Sequence, residues 1–146
     1  MNKIKLIDAG LAIDDRGELI FSNDFDMSKI KRFYQITNHQ NFFVRAWHGH
    51  QKEEKFVLVS KGSAIIAGVK IDNWKKPSKD LPVEKFIVTE KNPKIVHIPA
   101  GYANGFKTLA QDTKLIIFST STLEESKNDD FRYDSRHWNP WDIEER

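Results

Sequence analysis

A chain of 146 residues, 39% apolar and 12% aromatic, is long enough to bury one core without staples and too apolar to stay disordered. Its 23 Lys and Arg against 21 Asp and Glu leave a formal charge of only +2, with no basic block or stripe, so a nucleic-acid partner is not expected. Cysteine is absent, which excludes disulfide and thiolate chemistry and agrees with a reducing cytoplasm, and no apolar run reaches membrane-spanning length.

The opening MNKIKLIDAGLAI is too interrupted by Lys and Asp to read as a signal peptide. Lys5 to Ile13 reads as a first strand, with Asp14-Asp15-Arg16-Gly17 as a turn into a second, Glu18 to Phe21. Phe33 to Thr37 is a third, followed by the polar loop Asn38-His39-Gln40-Asn41. The stretch 45–62, RAWHGHQKEEKFVLVSKG, then leads into a strand at Lys55 to Ser60. If its first half is extended, His48, His50 and Glu54 share one face, since side chains alternate along a strand. Lys61-Gly62 suits a tight turn needing positive φ, so Ser63 to Ile71 is expected to pair with Lys55 to Ser60 as a hairpin.

A loop over residues 72–82 carries Trp74, and strands follow at Glu84 to Thr89, Ile95 to Ile98 and Lys114 to Ser119. Pro99 to Phe106 reads as a tight corner punctuated by two glycines, whose Tyr102 and Asn104 point toward or away from the His48 surface. Thr122-Leu123-Glu124-Glu125 has the form of a capping box and predicts one short helical turn. Phe131, Tyr133, Trp138 and Trp141 suit core or interface packing, or else a platform for a nucleotide base. Many short strands separated by turn signals, with no linker or repeat, predict a single all-β domain over 1–146, an antiparallel barrel or sandwich.

Two imidazoles near a lysine and an arginine suit proton abstraction at neutral pH beside a bound anion. Arg16 belongs with them only if the fold brings it to the same pocket, where its fork would match a phosphate. The spacing His48-x-His50-x-x-x-Glu54 also resembles the first metal motif of the cupin superfamily. Its second motif, Pro-x-Gly-x-x-His, meets Pro99 to Asn104, with asparagine in the last ligand's place, so activity without a metal is expected.

Over nearly its whole length the chain resembles the cupin-type nucleotide-sugar isomerases, the group of dTDP-4-dehydrorhamnose 3,5-epimerase and the dTDP-4-keto-6-deoxyglucose 3,4-ketoisomerases. Asp15-Arg16-Gly17, Arg45-Ala46-Trp47-His48, Lys55, Tyr102 to Phe106 and Trp138-Asn139-Pro140-Trp141 carry the likeness. The resemblance implies a cupin-like barrel and cofactor-independent isomerisation of a nucleotide-linked 4-keto-6-deoxy sugar. It further implies a homodimer and a cytoplasmic role in deoxysugar and surface polysaccharide (lipopolysaccharide) biosynthesis. His48 would be the general base and Lys55 would stabilise the enolate, while Arg16 and Arg45 would hold the diphosphate and Asn104 would bind substrate. The pattern Arg-Gly-x-His-x-His of the ketoisomerases adds His50, and their tyrosine after Ile-Lys-Arg adds Tyr34. The epimerases' acid tyrosine has no counterpart from Ser119 to Leu123, and their C-terminal aspartate lies beyond the end of this chain. Tyr102 and Tyr34 are therefore the candidate acids, ahead of Tyr133. A non-catalytic sugar-binding cupin is the rival of another class.

Overall fold

Strand-forming residues dominate, and their pairing in the computed structural model, which describes residues 3–146, produces two five-stranded antiparallel sheets and one small hairpin. The strands in chain order are β1 (Lys5–Asp8), β2 (Gly10–Asp14), β3 (Gly17–Phe21), β4 (Arg32–Thr37), β5 (Val44–His50) and β6 (Lys55–Lys61). They continue with β7 (Ser63–Lys70), β8 (Glu84–Thr89), β9 (Lys94–Ile98), β10 (Tyr102–Thr108), β11 (Lys114–Ser119) and, after the helix α1 (Leu123–Lys127), β12 (Phe131–Arg132). The first sheet has the order β1-β9-β6-β11-β4 and the second β12-β5-β10-β7-β8, while β2 and β3 pair only with each other.

The two sheets pack face to face. Val57, Val59, Leu115 and Ile117 from the first meet Ile66, Phe106 and Val88 from the second in one buried cluster. The outer face of the second sheet is buried as well, under a C-terminal apron in which Trp138 and Trp141 pack on Trp47. This double burial explains why β7 reads as a continuous apolar run, whereas β4, covered on one side only, alternates strictly. The C-terminal tryptophans are therefore packing residues and not a base platform: Trp138 is 3% and Trp141 0% exposed.

Two readings of the strands need correction. The expected hairpin across Lys61-Gly62 does not form, because β6 pairs with β9 and β11 while β7 pairs with β8 and β10. Gly62 does take positive φ, at 78°, but the turn carries the chain from one sheet to the other. Its neighbour Thr113 explains the glycine further, since a Cβ there would sit 2.3 Å from the threonine hydroxyl. Likewise the first expected strand is two, broken at Ala9, with β1 joining the large sheet and β2 the hairpin.

Candidate active site

The site lies at one end of the sandwich, in a cavity of about 350 Å³ between the sheets. From the second sheet β5 contributes Arg45, His48 and His50, and β10 contributes Asn104. From the opposing sheet β4 contributes Arg32 and Tyr34, and β6 contributes Lys55. Helix α1 and β12 close the mouth with Leu123, Lys127 and Arg132.

Strict alternation would turn Arg45 away from His48, yet both line the cavity. A bulge resolves this: Asn104 sits opposite His48 and Phe106 opposite Arg45, so two steps along β10 span three along β5. The close approach at the bulge requires Gly105, whose added Cβ would lie 2.5 Å from that of Ala46. Asn104 holds the same strand from the other side, its Nδ2 donating to the His48 carbonyl at 3.1 Å.

Cations dominate the walls: Arg32, Arg45, Lys55, Lys127 and Arg132 face a single lining carboxylate, Asp130. That field, with burial as the larger cause, holds the His48 imidazole down to about 4, Lys55 and Arg132 being the main charges responsible. Burial and then Lys55 also lower His50. Both rings are therefore neutral bases at pH 7. Burial lowers Lys55 too, offset in part by Glu53. Tyr34 is pushed up to about 12, by burial first and the Glu53 charge second, so its hydroxyl remains a proton donor.

Behind the cavity lies a buried polar network. Glu53, 2% exposed, accepts from the hydroxyls of Ser119 at 2.6 Å and Ser126 at 2.7 Å, with the Arg32 guanidinium at 3.7 Å. His50 Nδ1 lies 2.6 Å from the Asp129 carbonyl and 3.5 Å from Glu53 Oε1.

Of the expected residues, His48, His50, Lys55, Tyr34, Arg45 and Asn104 meet in this cavity, and two do not. Tyr102 lies at the far end of β10, opposite His50, where its ring closes the core and its hydroxyl sits beside Glu84. It lines a different pocket, with Lys70 and Leu81, and not the cavity of His48. Arg16 stands on the β2–β3 hairpin, bound to Asp14 at 2.5 Å, with its side chain 87% exposed. The metal triad does not form either. Glu54 falls in the turn after β5 and pairs instead with His97 at 2.7 Å, and among the described residues no group of three His, Asp or Glu could hold a metal ion. Tyr34 is the cavity's only tyrosine among the described residues.

The chain matches the family described as dTDP-4-dehydrorhamnose 3,5-epimerase over residues 2–143. It belongs to that family, whose members are isomerases. A probable low-salt glycan biosynthesis epimerase, Agl13 of Haloferax volcanii, is 25% identical over 135 residues, 89% of this chain and 85% of that protein. The fold matches a dTDP-4-dehydrorhamnose 3,5-epimerase from Bacillus anthracis with TDP and pyrophosphate bound, at TM-score 0.75 and 19% identity, covering 97% and 86% of the two chains. It also matches a 3,4-ketoisomerase from Helicobacter canadensis, at TM-score 0.68 and 20% identity, covering 92% and 93%. No helix among the described residues is long and apolar enough to cross a membrane.

Sequence reasoning missed Arg32, Arg132, Lys127, Glu53 and Asp129. Arg32 had a readable signal, two residues before Tyr34 and so on the same face of a strand. The others reach the site through turns, the helix and the two-residue strand β12, too short for any periodicity to announce a facing direction.

Proposed function

We propose that this protein epimerises a nucleoside-diphosphate 4-keto-6-deoxy sugar through an enolate, for a surface glycan. One observation carries the reading: neutral imidazoles from one sheet and a protonated tyrosine from the other confront each other across a single cationic cavity. A hydrogen on the carbon beside the C4 carbonyl is acidic. His48, with His50 beside it, takes that proton, and the C–H electron pair passes into the enolate, whose oxygen Lys55 stabilises. Tyr34 then donates a proton to the same carbon from the opposite face, which inverts it. Arg45 and Arg132 suit the diphosphate, whose binding positions the ring. The TDP held by the B. anthracis relative supports a nucleotide of that kind. None of these steps requires a redox cofactor.

A second reading, ketoisomerisation, is favoured by the two imidazoles on one side of the sugar, suited to moving a proton between C3 and C4. Reaction in D2O separates the two. Epimerisation places deuterium at C3, C5 or both with the carbonyl still at C4. A 3-keto product without an inverted centre overturns it, and no turnover at all returns the protein to the non-catalytic sugar binders.

A homodimer belongs to this reading. The β2–β3 hairpin joins neither large sheet and exposes Ile13 and Leu19, 67% and 61% accessible, although a lone hairpin is marginally stable in water. Packed on a second copy, it would be covered, and Arg16 could reach the partner's cavity. The lack of cysteine supports a reducing, cytoplasmic setting.

A further inference from the structure

The two histidines of β5 are held differently. The ring of His48 makes no hydrogen bond among the described residues, whereas His50 Nδ1 lies 2.6 Å from the main-chain carbonyl of Asp129. A carbonyl can only accept, so Nδ1 carries the hydrogen, and in the neutral ring Nε2 is left as a bare lone pair. That Nε2 is buried with no partner, a costly state for a polar atom, on a ring that lines the cavity.

What holds the carbonyl in place is the side chain of the same residue. Asp129, 6% exposed, accepts from three successive main-chain amides, those of Gln51 at 2.7 Å, Lys52 at 2.9 Å and Glu53 at 3.0 Å. These amides form the turn between β5 and β6, and so set the spacing of His50 and Lys55. No lysine or arginine pairs with this carboxylate among the described residues; the amides alone compensate its charge. The chain leaves α1 two residues before Asp129 and enters β12 two residues after it, which ties the base, the enolate-stabilising lysine and the closing helix to one side chain.

We propose that Asp129 is a positioning residue: through its carbonyl and its three amide bonds it locks His50 as the Nδ1–H tautomer, leaving Nε2 as the basic nitrogen of the ring. This rests on the proposed isomerisation. In the step itself the ring-carbon proton leaves to a β5 imidazole, the C–H electron pair enters the enolate, and Tyr34 supplies the proton that reaches carbon from the opposite face. Positive charge gained by the His50 ring is stabilised by its Nδ1–H bond to the Asp129 carbonyl and by Glu53 at 3.5 Å.

Long-range proton–nitrogen correlation NMR on the labelled full chain at pH 7 reads the tautomer directly and needs no substrate. The expected result is a protonated Nδ1 and an unprotonated Nε2 for His50, with its signals assigned by their loss in His50→Gln. In Asp129→Asn, where one amide meets an NH2 group, the preference should relax toward the Nε2–H form that free imidazole side chains favour, with the His48 signals unchanged. Turnover should then fall about 10²-fold in kcat at unchanged KM, the cost of a misplaced reacting group. A wild-type His50 bearing hydrogen on Nε2 overturns the proposal whether or not the variant folds, and so does a folded Asp129→Asn with wild-type kcat. A protein that turns over no nucleotide sugar overturns the functional reading, while the tautomer measurement still decides the role of Asp129.

Discussion

At the scale of single residues, His48 owes its neutrality to burial beside Lys55 and Arg132, which brings it to about 4 from an ordinary 6.5. A base so poised stays active well into acid. The acidic limb of kcat/KM is expected near pH 4, and a limb near 6.5 would show that a different group limits the reaction. The same shift acts on stability with a definite sign. Between 6.5 and 4 the unfolded chain takes up a proton that the folded chain refuses, so stability falls as the pH drops through that window. His48→Asn should lower kcat about 10²–10⁴-fold while leaving nucleoside-diphosphate affinity near wild type if, as proposed, the ring acts on the sugar and the arginines on the phosphates. Near-normal turnover in that variant would remove His48 from the mechanism. His48, His50, Arg45 and Lys55 were legible from type and spacing alone. Tyr102 was expected at the cavity and lies outside it, because a residue's place in a motif does not reveal which end of a strand opens onto the cavity. Tyr34 was recognisable only through the resemblance, since nothing local marks one tyrosine on an alternating strand as functional.

At the scale of elements, the capping box at Thr122 stands as read. Thr122 Oγ1 accepts from the Glu125 amide and Glu125 returns a bond to the Thr122 amide, while Lys31 pairs with Glu125 at 2.9 Å. A five-residue helix with no buried residue has little besides these bonds and the Ser126–Glu53 bond to hold it, yet it carries Leu123, Ser126 and Lys127 to the cavity. Thr122→Ala is therefore expected to lower unfolding free energy by about 1 kcal/mol in urea titration, and to raise KM more than it lowers kcat. A variant with unchanged KM would mean that α1 does not order the substrate. On the first sheet, β4 and β11 bury alternate residues, while β6 and β9 were readable as short apolar runs bounded by turn signals. β5 and β10 were not. They are the middle of a sheet covered on both faces, where Ala46, Ala103 and Gly105 are small to admit close neighbours, and in a sequence such residues look like turn signals. The β6–β7 turn has the chemistry of a hairpin, and only long-range pairing with β11 and β10 decides that it is a crossing between sheets.

At the scale of the whole molecule, the cavity holds enough positive charge for a diphosphate, yet Arg16, the arginine that the family resemblance assigns to it, lies outside on an unsupported hairpin. Both facts are explained if two chains exchange hairpins, each lending Arg16 to the other's site. Light scattering at micromolar concentration should then give twice 17.0 kDa, and a mass of one chain would refute the arrangement. Leu19→Asp, a charge on the exposed hairpin face, should shift the mass toward the single chain and weaken substrate binding together, because the interface and the site share one element. Subunit mixing tests the exchange itself. Arg16→Ala leaves its own His48 intact, and His48→Asn leaves its own Arg16 intact. If Arg16 acts across the interface, the mixed dimer contains one site with both defects and one fully normal site. Random reassociation of equal amounts should then restore about a quarter of wild-type turnover at subsaturating substrate. If Arg16 serves its own chain, each site in the mixture keeps one defect and no activity returns beyond the mean of the two variants.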